Sequence, residues 1–302
     1  GSYECEVFDS LSRAKTIQDY KLLSISQILL RRGWWLQSNL TYEAKISDIV
    51  DENDTVIVYT NNPYAGLLLE RIKSKFKNNA YIIFDAMDNL CVFPQLKAVE
   101  KKIAFKGYSK AFSIADFRCA NANKTCKYFK EKLGIEIPLL KNGVFPVRKV
   151  IGKIELPSYK EIRSLNESYK TIVGFIGKIG LRIDATFLGK VAMSNQDAAF
   201  VLIGPKLNGQ CEQIDQIFKK VSNIYVYEGI PSSYIYEYYD LFDILMLPYS
   251  VGFGENSGDP LKLYQYFMAK KPILCTPISE VGQYKKQILI SSDAMKWSYE
   301  IS

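Results

Sequence analysis

The chain has 302 residues, of which 48% are hydrophobic and 24% are charged, as in an ordinary soluble globular protein. This length predicts two domains of about 150 residues each. The sequence contains no histidine. That absence excludes Ser or Cys nucleophiles paired with histidine, and it excludes most zinc sites. Acid–base chemistry therefore falls to Asp, Glu, Lys, Tyr or Cys.

The net charge of +7 fits a nucleic acid, an anionic membrane surface or a phosphorylated small molecule as partner. The basic residues are scattered, apart from short groups such as Lys101-Lys102, Lys219-Lys220 and Lys285-Lys286. No nucleic-acid-binding module is recognisable, so nucleic acid is the least favoured partner. The six cysteines lack metal-ligand spacing and lie mostly in apolar stretches, which predicts reduced thiols in a reducing compartment.

No apolar run approaches the roughly 18 residues that span a bilayer, and no signal peptide is recognisable, so we expect a cytoplasmic protein. The stretch 28–36, ILLRRGWWL, combines two arginines with two tryptophans. It has two interpretations: a contact with the membrane interface, or a partly buried helix end.

The first part of the chain alternates between helical and strand patterns. Residues 15–50 carry apolar residues at helical spacing. Strands are then predicted at 55–63, at 80–85, within 111–122 and at 137–144. Helices are predicted at 64–77, 95–108 and 124–133, the last closed by Gly134. This alternation predicts a parallel α/β sheet.

Residues 147–168 follow Pro146 and are charged and aperiodic, which predicts an interdomain linker with room for one short helix. A second alternation begins after it. The predicted strands are 171–177, 198–205, 224–229, 243–249, 272–276 and 287–291, and the predicted helices are 184–194, 210–220, 232–239 and 260–269. The predicted fold class is α/β, with two Rossmann-like domains, residues 1–146 and 169–302, facing each other across a cleft.

Three stretches could carry chemistry. Gly174, Gly177 and Gly180 follow a strand at GxxGxxG spacing, which suits either a phosphate loop or a plain tight turn. The stretch FDAMD ends a strand with Asp85 and places Asp88 three residues later. One of these two carboxylates is expected to cap or turn the chain, and the other is the best-placed general base.

The third stretch is ENSGDPLKLYQYF, in which Asp259 is the predicted N-cap of a helix and Pro260 its first residue. Lys262 follows in the first turn, where a cation is disfavoured by about 0.3–1 kcal/mol unless an anion is bound. Ser257 and Gly258 would leave room for a diphosphate at the helix end. The alternative is a solvated lysine that binds nothing.

The order of the motifs FDAMDNL, KNGV, GFIGKIGLRID, FVLIGP, YEGIP, DILMLPY and DPLKLYQYFMAKKPILCT resembles bacterial GT-B glycosyltransferases over most of residues 80–290. The resemblance is narrower to the branch of the xanthan glucuronosyltransferase and related exopolysaccharide or teichuronic-acid enzymes. It implies a hexosyl- or uronosyltransferase of cell-surface polysaccharide or capsule synthesis. It also implies a UDP- or GDP-sugar donor in the second domain and a saccharide or lipid-linked saccharide acceptor in the first.

The resemblance also assigns residues. Lys262 would neutralise the donor diphosphate, and Asp88, or else Asp85, would deprotonate the acceptor hydroxyl. The remaining donor-binding residues that it implies are Gly177, Lys178, Glu228, Tyr249, Ser250, Ser257 and Gly258. No cofactor beyond the donor substrate and no metal is implied, and peripheral contact with the inner membrane face is expected from the charge and the RRGWW stretch.

The sequence departs from the family in two ways. The retaining branch carries two glutamates in the helix region, at positions that correspond to Ser257 and Gln265 here, which favours an inverting single displacement. The first domain is short at its start and the family's final crossing helix is absent, so a truncated chain is expected. The alternatives are a nucleotide-sugar epimerase of the same fold and a nucleotide-sugar-binding protein without turnover.

Overall fold

The computed structural model describes residues 55–144 except 95, and residues 156–302 except 208, 210 and 253–257. The predicted helices of residues 15–50 and the RRGWW stretch lie outside these ranges. The chain divides into two compact units, with the boundary between Leu140 and Lys141.

The first unit contains a parallel sheet of strand order β1-β2-β3 in its described part. Its elements, in chain order, are β1 (Val56–Thr60), α1 (Gly66–Phe76), β2 (Ala80–Ala86), α2 (Ala98–Ile114), β3 (Phe117–Ala120) and α3 (Asn123–Leu133). Helix α3 ends at Gly134, which takes the left-handed conformation (φ 67°) of a helix C-cap, as the sequence predicts. The core of this unit includes Phe84, Tyr108, Phe112 and Phe129.

The strand predicted at 137–144 is wrong. Only Leu139 pairs, through a single parallel bridge to Ala120. Strand β3 ends at Ala120 and α3 begins at Asn123, so the neighbouring ladder offers no further partner. Leu139 and Leu140 are exposed, and apolar character alone did not make this run a strand.

The second unit contains a six-stranded parallel sheet. Its elements, in chain order, are α4 (Pro157–Ser164), β4 (Thr171–Ile176), α5 (Ala185–Ser194), β5 (Ala198–Ile203), α6 (Glu212–Phe218), β6 (Ile224–Tyr227), α7 (Ile235–Asp240), β7 (Ile244–Leu247), α8 (Leu261–Ala269), β8 (Ile273–Cys275), β9 (Leu289–Ile290) and α9 (Ala294–Ile301). Helix α4 is the short helix allowed for within the predicted linker, and its Ile162 is buried in the core of this unit. Helix α9 was not predicted from the sequence.

The strand order of the second sheet is β6-β5-β4-β7-β8-β9. Numbered within the unit, this order is 3-2-1-4-5-6, that of a dinucleotide-binding Rossmann sheet. Every residue of β5 and β7 is buried, because helices cover both faces of such a sheet. Strands β5 and β6 lie on one side of β4, and strands β7, β8 and β9 lie on the other. The carboxyl ends of β4 and β7 therefore form the topological switch point.

Candidate functional site

The loops that follow β4 and β7 lie together at the switch point. The backbone N–H of Asp184, after β4, donates to the carbonyl of Pro248, after β7, at 2.8 Å. The N–H of Ser250 donates in the other direction, to the carbonyl of Arg182, at 2.8 Å. Ligands of open α/β sheets bind at this position, outside the carboxyl ends of the strands. The two loops therefore form one rim where a ligand is expected.

Lys262 reaches this rim from the first turn of α8. Its ammonium donates a hydrogen bond to the carbonyl of Ile176, the last residue of β4, and lies 5.4 Å from the ring centroid of Phe175. Burial first, and then the positive charge of Lys178, lower the pKa of Lys262 to about 8. An ammonium carries three donors, and one of them is used on a described residue. The remaining donors can meet an anion.

Gly177 provides the space that Lys262 occupies. A Cβ atom at this position would lie 2.2 Å from Cε and 2.3 Å from Nζ of Lys262. Its backbone N–H donates to the carbonyl of Ile203 at 2.7 Å, and that of Ile179 donates to Pro205 at 3.0 Å. These two N–H groups are engaged within the unit and are not oriented toward a phosphate. Gly177 therefore acts on the site through the lysine, not through its own N–H.

The other glycines of the GxxGxxG stretch serve packing and chain direction. Gly174 lies inside β4, where a Cβ atom would come within 2.0 Å of the Phe242 ring. The carbonyl of Gly180 accepts from the N–H of Ile183 at 2.8 Å and closes a turn. The tight turn, one of the two interpretations of this stretch, applies to Gly180, whereas Gly174 was expected to follow the strand and lies within it.

Tyr249 is a second neighbour of the Phe175 ring. The Tyr249 and Phe175 rings meet edge to face, with centroids 6.0 Å apart. The carbonyl of Tyr249 accepts from the Thr276 hydroxyl at 2.7 Å. Burial raises the pKa of the Tyr249 phenol to about 12, against the effect of the Arg182 charge. We call Phe175, Gly177, Tyr249 and Lys262 the switch-point cluster.

The predicted N-cap of α8 is wrong. The helix begins at Leu261, Pro260 is its N-cap residue, and no side chain caps it. Asp259 is only 6% exposed, and its carboxylate accepts from the Tyr264 hydroxyl at 2.5 Å and from the N–H of Asn142 at 3.1 Å. Burial raises the pKa of Asp259, and the Tyr264 hydrogen bond opposes that rise. The carboxylate thus holds the segment before α8 in place through its hydrogen bonds with Tyr264 and Asn142.

The other predicted donor-binding residues occupy different positions. Lys178 is exposed next to Gly177, and Gly258 is half-buried next to Asp259. Glu228 is exposed directly after β6, and β5 separates β6 from β4 in the sheet, so Glu228 does not join the switch-point cluster. Ser257 lies outside the described residues.

The two predicted carboxylates of the first unit lie in different environments. Asp85 is buried near the end of β2 and accepts a 2.6 Å hydrogen bond from the Tyr59 hydroxyl. Burial first, and then the Asp85 charge, raise the pKa of the Cys119 thiol to about 12. Asp88 is exposed in the turn after β2, and its backbone carbonyl accepts from the Tyr108 hydroxyl. Asp88 therefore reaches solvent, and Asp85 is largely shielded from it.

Sequence reasoning missed Phe175, Arg182 and Asn142. Phe175 read as a core residue, and its contact with Lys262 depends on where α8 lies. Arg182 could have been found, because it follows the same strand as Lys178 and is an exposed cation at the switch point. Asn142 bonds to Asp259 across 117 residues of sequence, and no local pattern reports such a contact.

The described residues lack two further features. No group of three or more Cys, Asp or Glu in those ranges could hold a metal ion. None of the helices in the same ranges is both long and apolar enough to cross a membrane.

No family model matches the chain. A curated relative from Bacillus subtilis strain 168, whose name describes it as a putative teichuronic acid biosynthesis glycosyltransferase (TuaH), is 24% identical over 115 residues. The match covers 38% of this chain and spans only 29% of that relative's length.

Solved structures match over most of the chain. A structure described as trehalose-6-phosphate from E. coli bound with UDP-2-fluoro glucose has a TM-score of 0.65 at 11% identity, over 90% of this chain and 71% of that chain. Anabaena Alr3699/HepE in complex with UDP and glucose has a TM-score of 0.61 at 11% identity, over 88% and 70%. TarM has a TM-score of 0.61 at 12% identity, over 86% and 49%. These proteins are GT-B glycosyltransferases, so the chain has the GT-B fold of two Rossmann-like domains, as the resemblance predicted.

Proposed function

We propose that the protein is a glycosyltransferase that takes a sugar from a UDP- or GDP-sugar donor. The observation that carries this proposal is the half-buried Lys262, whose ammonium lies beside Gly177 at the switch point and at the N-terminal end of α8. The bound UDP-2-fluoro glucose and the bound UDP and glucose of two structural neighbours support a nucleotide-sugar donor. The name of the TuaH relative supports a role in polysaccharide synthesis.

The donor diphosphate would be bound by positive charge without a metal. Lys262 and Lys178 lie near enough for the charge of one to lower the pKa of the other. Two such cations repel each other in the free protein, and a diphosphate between them removes that repulsion. The dipole of α8, whose N-terminal end lies at this position, adds to the attraction. The same groups would stabilise the negative charge of the departing diphosphate.

The transfer itself would be a single displacement. The acceptor hydroxyl loses its proton to the Asp88 carboxylate, and its oxygen forms a bond to the anomeric carbon of the donor sugar. The bond from that carbon to the diphosphate oxygen breaks, and the nucleoside diphosphate leaves with the electron pair. Asp88 is favoured over Asp85 because Asp88 is exposed and Asp85 is buried against Tyr59. The inverted anomer is the expected product.

We further infer that the acceptor is a saccharide on a lipid carrier at the inner face of the cell membrane. The relative's part in teichuronic acid synthesis and the net charge of +7 support this acceptor. Glu228, Ser250, Ser257 and Gly258 remain the predicted contacts of the nucleotide and the sugar.

A thermal-shift screen of nucleotide sugars tests the donor site, with the wild type compared with Lys262→Met. The wild type should be stabilised by at least one UDP- or GDP-sugar, and Lys262→Met should lose most of that shift. The control Lys296→Met removes an exposed lysine of α9 and should respond as the wild type does. If no nucleotide sugar stabilises the wild type, the proposed function fails.

The screen also separates the alternatives. A hit should then be incubated with and without a lipid-linked saccharide extract. Product from the donor alone would indicate an epimerase, and binding without any product would indicate a protein without turnover.

A further inference from the structure

The net positive charge of the chain is concentrated in one stretch. Residues 97–132 hold ten Lys or Arg and three Asp or Glu, so this stretch alone has a net charge of +7. The rest of the chain holds 29 residues of each sign and is neutral. No long basic run is visible in the sequence, because apolar core residues interrupt the lysines at helical spacing. The charge that seemed scattered therefore belongs to one part of the first unit.

This stretch contains α2 and α3, which pack against each other. The Tyr108 and Phe129 rings have centroids 4.8 Å apart, and the Phe112 and Phe129 rings 4.9 Å apart. Tyr108, Phe112 and Phe129 are almost fully buried. The solvent-facing sides of the two helices are therefore neighbours on the surface of the first unit.

Lysine dominates those solvent-facing sides. The two helices expose twelve residues, of which seven are lysines and one is acidic. We call these lysines the α2–α3 lysine surface: Lys102, Lys106, Lys110, Lys124, Lys127, Lys130 and Lys132. Lys102, Lys106 and Lys110 recur every four residues and therefore line one face of α2.

Three lysines of this surface form exposed ion pairs with glutamates. Lys110 pairs with Glu70 at 2.6 Å and Lys127 with Glu131 at 3.8 Å, and all four side chains are well exposed. Lys130 pairs with Glu136. Exposed pairs of this kind contribute little in water and exchange readily for another anion. The surface can therefore meet an external anionic partner.

The composition of the surface indicates which partner it fits. All of its cations are lysines, which are hydrated point charges and lack the planar fork with which arginine recognises individual phosphates. No aromatic side chain is exposed on α2 or α3, so nucleic acid bases would find no stacking platform there. A dense lysine cluster of this size is what an anionic lipid surface attracts.

We propose that the α2–α3 lysine surface docks the protein on an anionic lipid bilayer. The proposal rests on the inner-membrane acceptor of the proposed function and names the surface that would meet that membrane, and it does not depend on the donor site. Docking would bring the first unit to the membrane where a lipid-linked acceptor resides. It also places the membrane contact on a described, folded surface, whereas the sequence suggested the RRGWW stretch.

Vesicle sedimentation tests this proposal with two quadruple variants of equal charge. The first replaces Lys102, Lys106, Lys127 and Lys132 with Gln. The matched control replaces Lys219, Lys220, Lys285 and Lys286, four exposed lysines of the second unit, with Gln. The wild type should bind phosphatidylglycerol-containing vesicles and be released by salt. The surface variant should bind at least about tenfold more weakly, and the control should stay within about twofold of the wild type.

Four results would overturn the proposal. The first is an equal loss of binding in the two variants, and the second is wild-type binding to pure phosphatidylcholine that is as strong as binding to anionic vesicles. The third is that the same four lysines are needed for binding to duplex DNA and not to vesicles. The fourth is that Trp34→Ala/Trp35→Ala abolishes vesicle binding while the surface variant still binds. The thermal shift with UDP-sugar should be unchanged in the surface variant. A wild type that binds vesicles through these lysines but no nucleotide sugar would contradict the proposed function alone.

Discussion

At the scale of single residues, the proposed binding of the donor diphosphate depends on the environment of Lys262. A cation in the first turn of a helix opposes the helix dipole, and burial adds a second cost. The Ile176 carbonyl and the Phe175 ring offset part of that cost, but the pKa of Lys262 still falls to about 8. An arrangement that holds a lysine in an unfavourable charge state favours a role in binding an anion.

This depressed pKa predicts a pH dependence for UDP binding. The Lys262 ammonium is charged below about pH 8 and loses its proton above it, while phosphate groups are fully ionised above about pH 7. Calorimetric affinity for UDP should therefore fall about tenfold between pH 7 and pH 9 in the wild type. Lys262→Met should bind weakly at both values. An affinity that stays constant in the wild type across this range would exclude a charged Lys262 from the site.

The lowered pKa of Lys262 also determines how the stability of the protein changes with pH. The folded state holds fewer protons on Lys262 than the unfolded state between about pH 8 and the ordinary lysine range. Stability without ligand should rise with pH across that interval, and Lys262→Met at pH 7 should melt no lower than the wild type. Urea unfolding of both proteins at the two ends of the interval measures this, and a marked destabilisation by Lys262→Met would indicate a structural lysine.

Gly177→Ala should weaken UDP binding by about tenfold or more, the effect of displacing one charged hydrogen-bond donor. The added Cβ atom would occupy the position of Cε and Nζ of Lys262 and push the ammonium away. The control Gly282→Ala adds a Cβ atom that meets nothing within 4 Å and should bind as the wild type does. Equal affinity in both variants would mean that the lysine can move aside and still bind.

At the scale of elements, the position of α8 depends on contacts with distant parts of the chain. Asp259 immediately precedes the helix cap, and its carboxylate accepts a hydrogen bond from the N–H of Asn142. Its second partner, Tyr264, lies within the helix itself. The Tyr284 hydroxyl donates to the Tyr264 hydroxyl at 3.2 Å and extends the network to the 3-10 turn Gly282–Tyr284. These bonds hold the turn that carries Lys262.

Asp259→Ala should lower the free energy of unfolding by about 1–3 kcal/mol, because it takes the acceptor from the Tyr264 hydroxyl and from the Asn142 N–H in a buried site. It should also raise the dissociation constant for UDP, since the start of α8 loses its anchor. The control Asp293→Asn alters the exposed cap of α9, where Asn caps as well as Asp, and should change stability by less than about 0.5 kcal/mol. A stability loss with unchanged UDP binding would restrict Asp259 to folding.

The predictability of the elements follows from how their residues are buried. Strands β4, β5 and β7 were predicted because both faces of a covered parallel strand require apolar residues, which gives a continuous run. The run 137–140 had the same appearance, but only Ile137 of its apolar residues is buried. Asp259 had the sequence of a helix cap, and its partner Asn142 overrode that local preference. Solvent exposure explains the first error, and a long-range contact explains the second.

At the scale of the whole molecule, the two units have different chemical character. The second unit carries the switch-point cluster and the Rossmann strand order, and the first carries the exposed Asp88 and the α2–α3 lysine surface. The sequence predicted two α/β units because each has its own alternation. The net charge of residues 97–132 can be counted in the sequence, but only the helices showed that seven of their lysines share a surface.

The transfer should invert the configuration at the anomeric carbon. The positions that correspond to the two glutamates of the retaining branch are Ser257 and Gln265, and a single displacement needs only one base. Proton NMR of the first product formed, through the coupling constant of its anomeric proton, measures the outcome. A product with the same anomeric configuration as the donor would rule out this mechanism, and full activity in Asp88→Asn would rule out Asp88 as the base.

The most direct test of the central claim is a crystal structure of the protein in complex with UDP. The diphosphate should lie at the switch point, within hydrogen-bond distance of the Lys262 Nζ atom and against the first turn of α8. A nucleotide bound elsewhere, or a diphosphate at the switch point that Lys262 does not contact while its ammonium still donates to the Ile176 carbonyl, would contradict it.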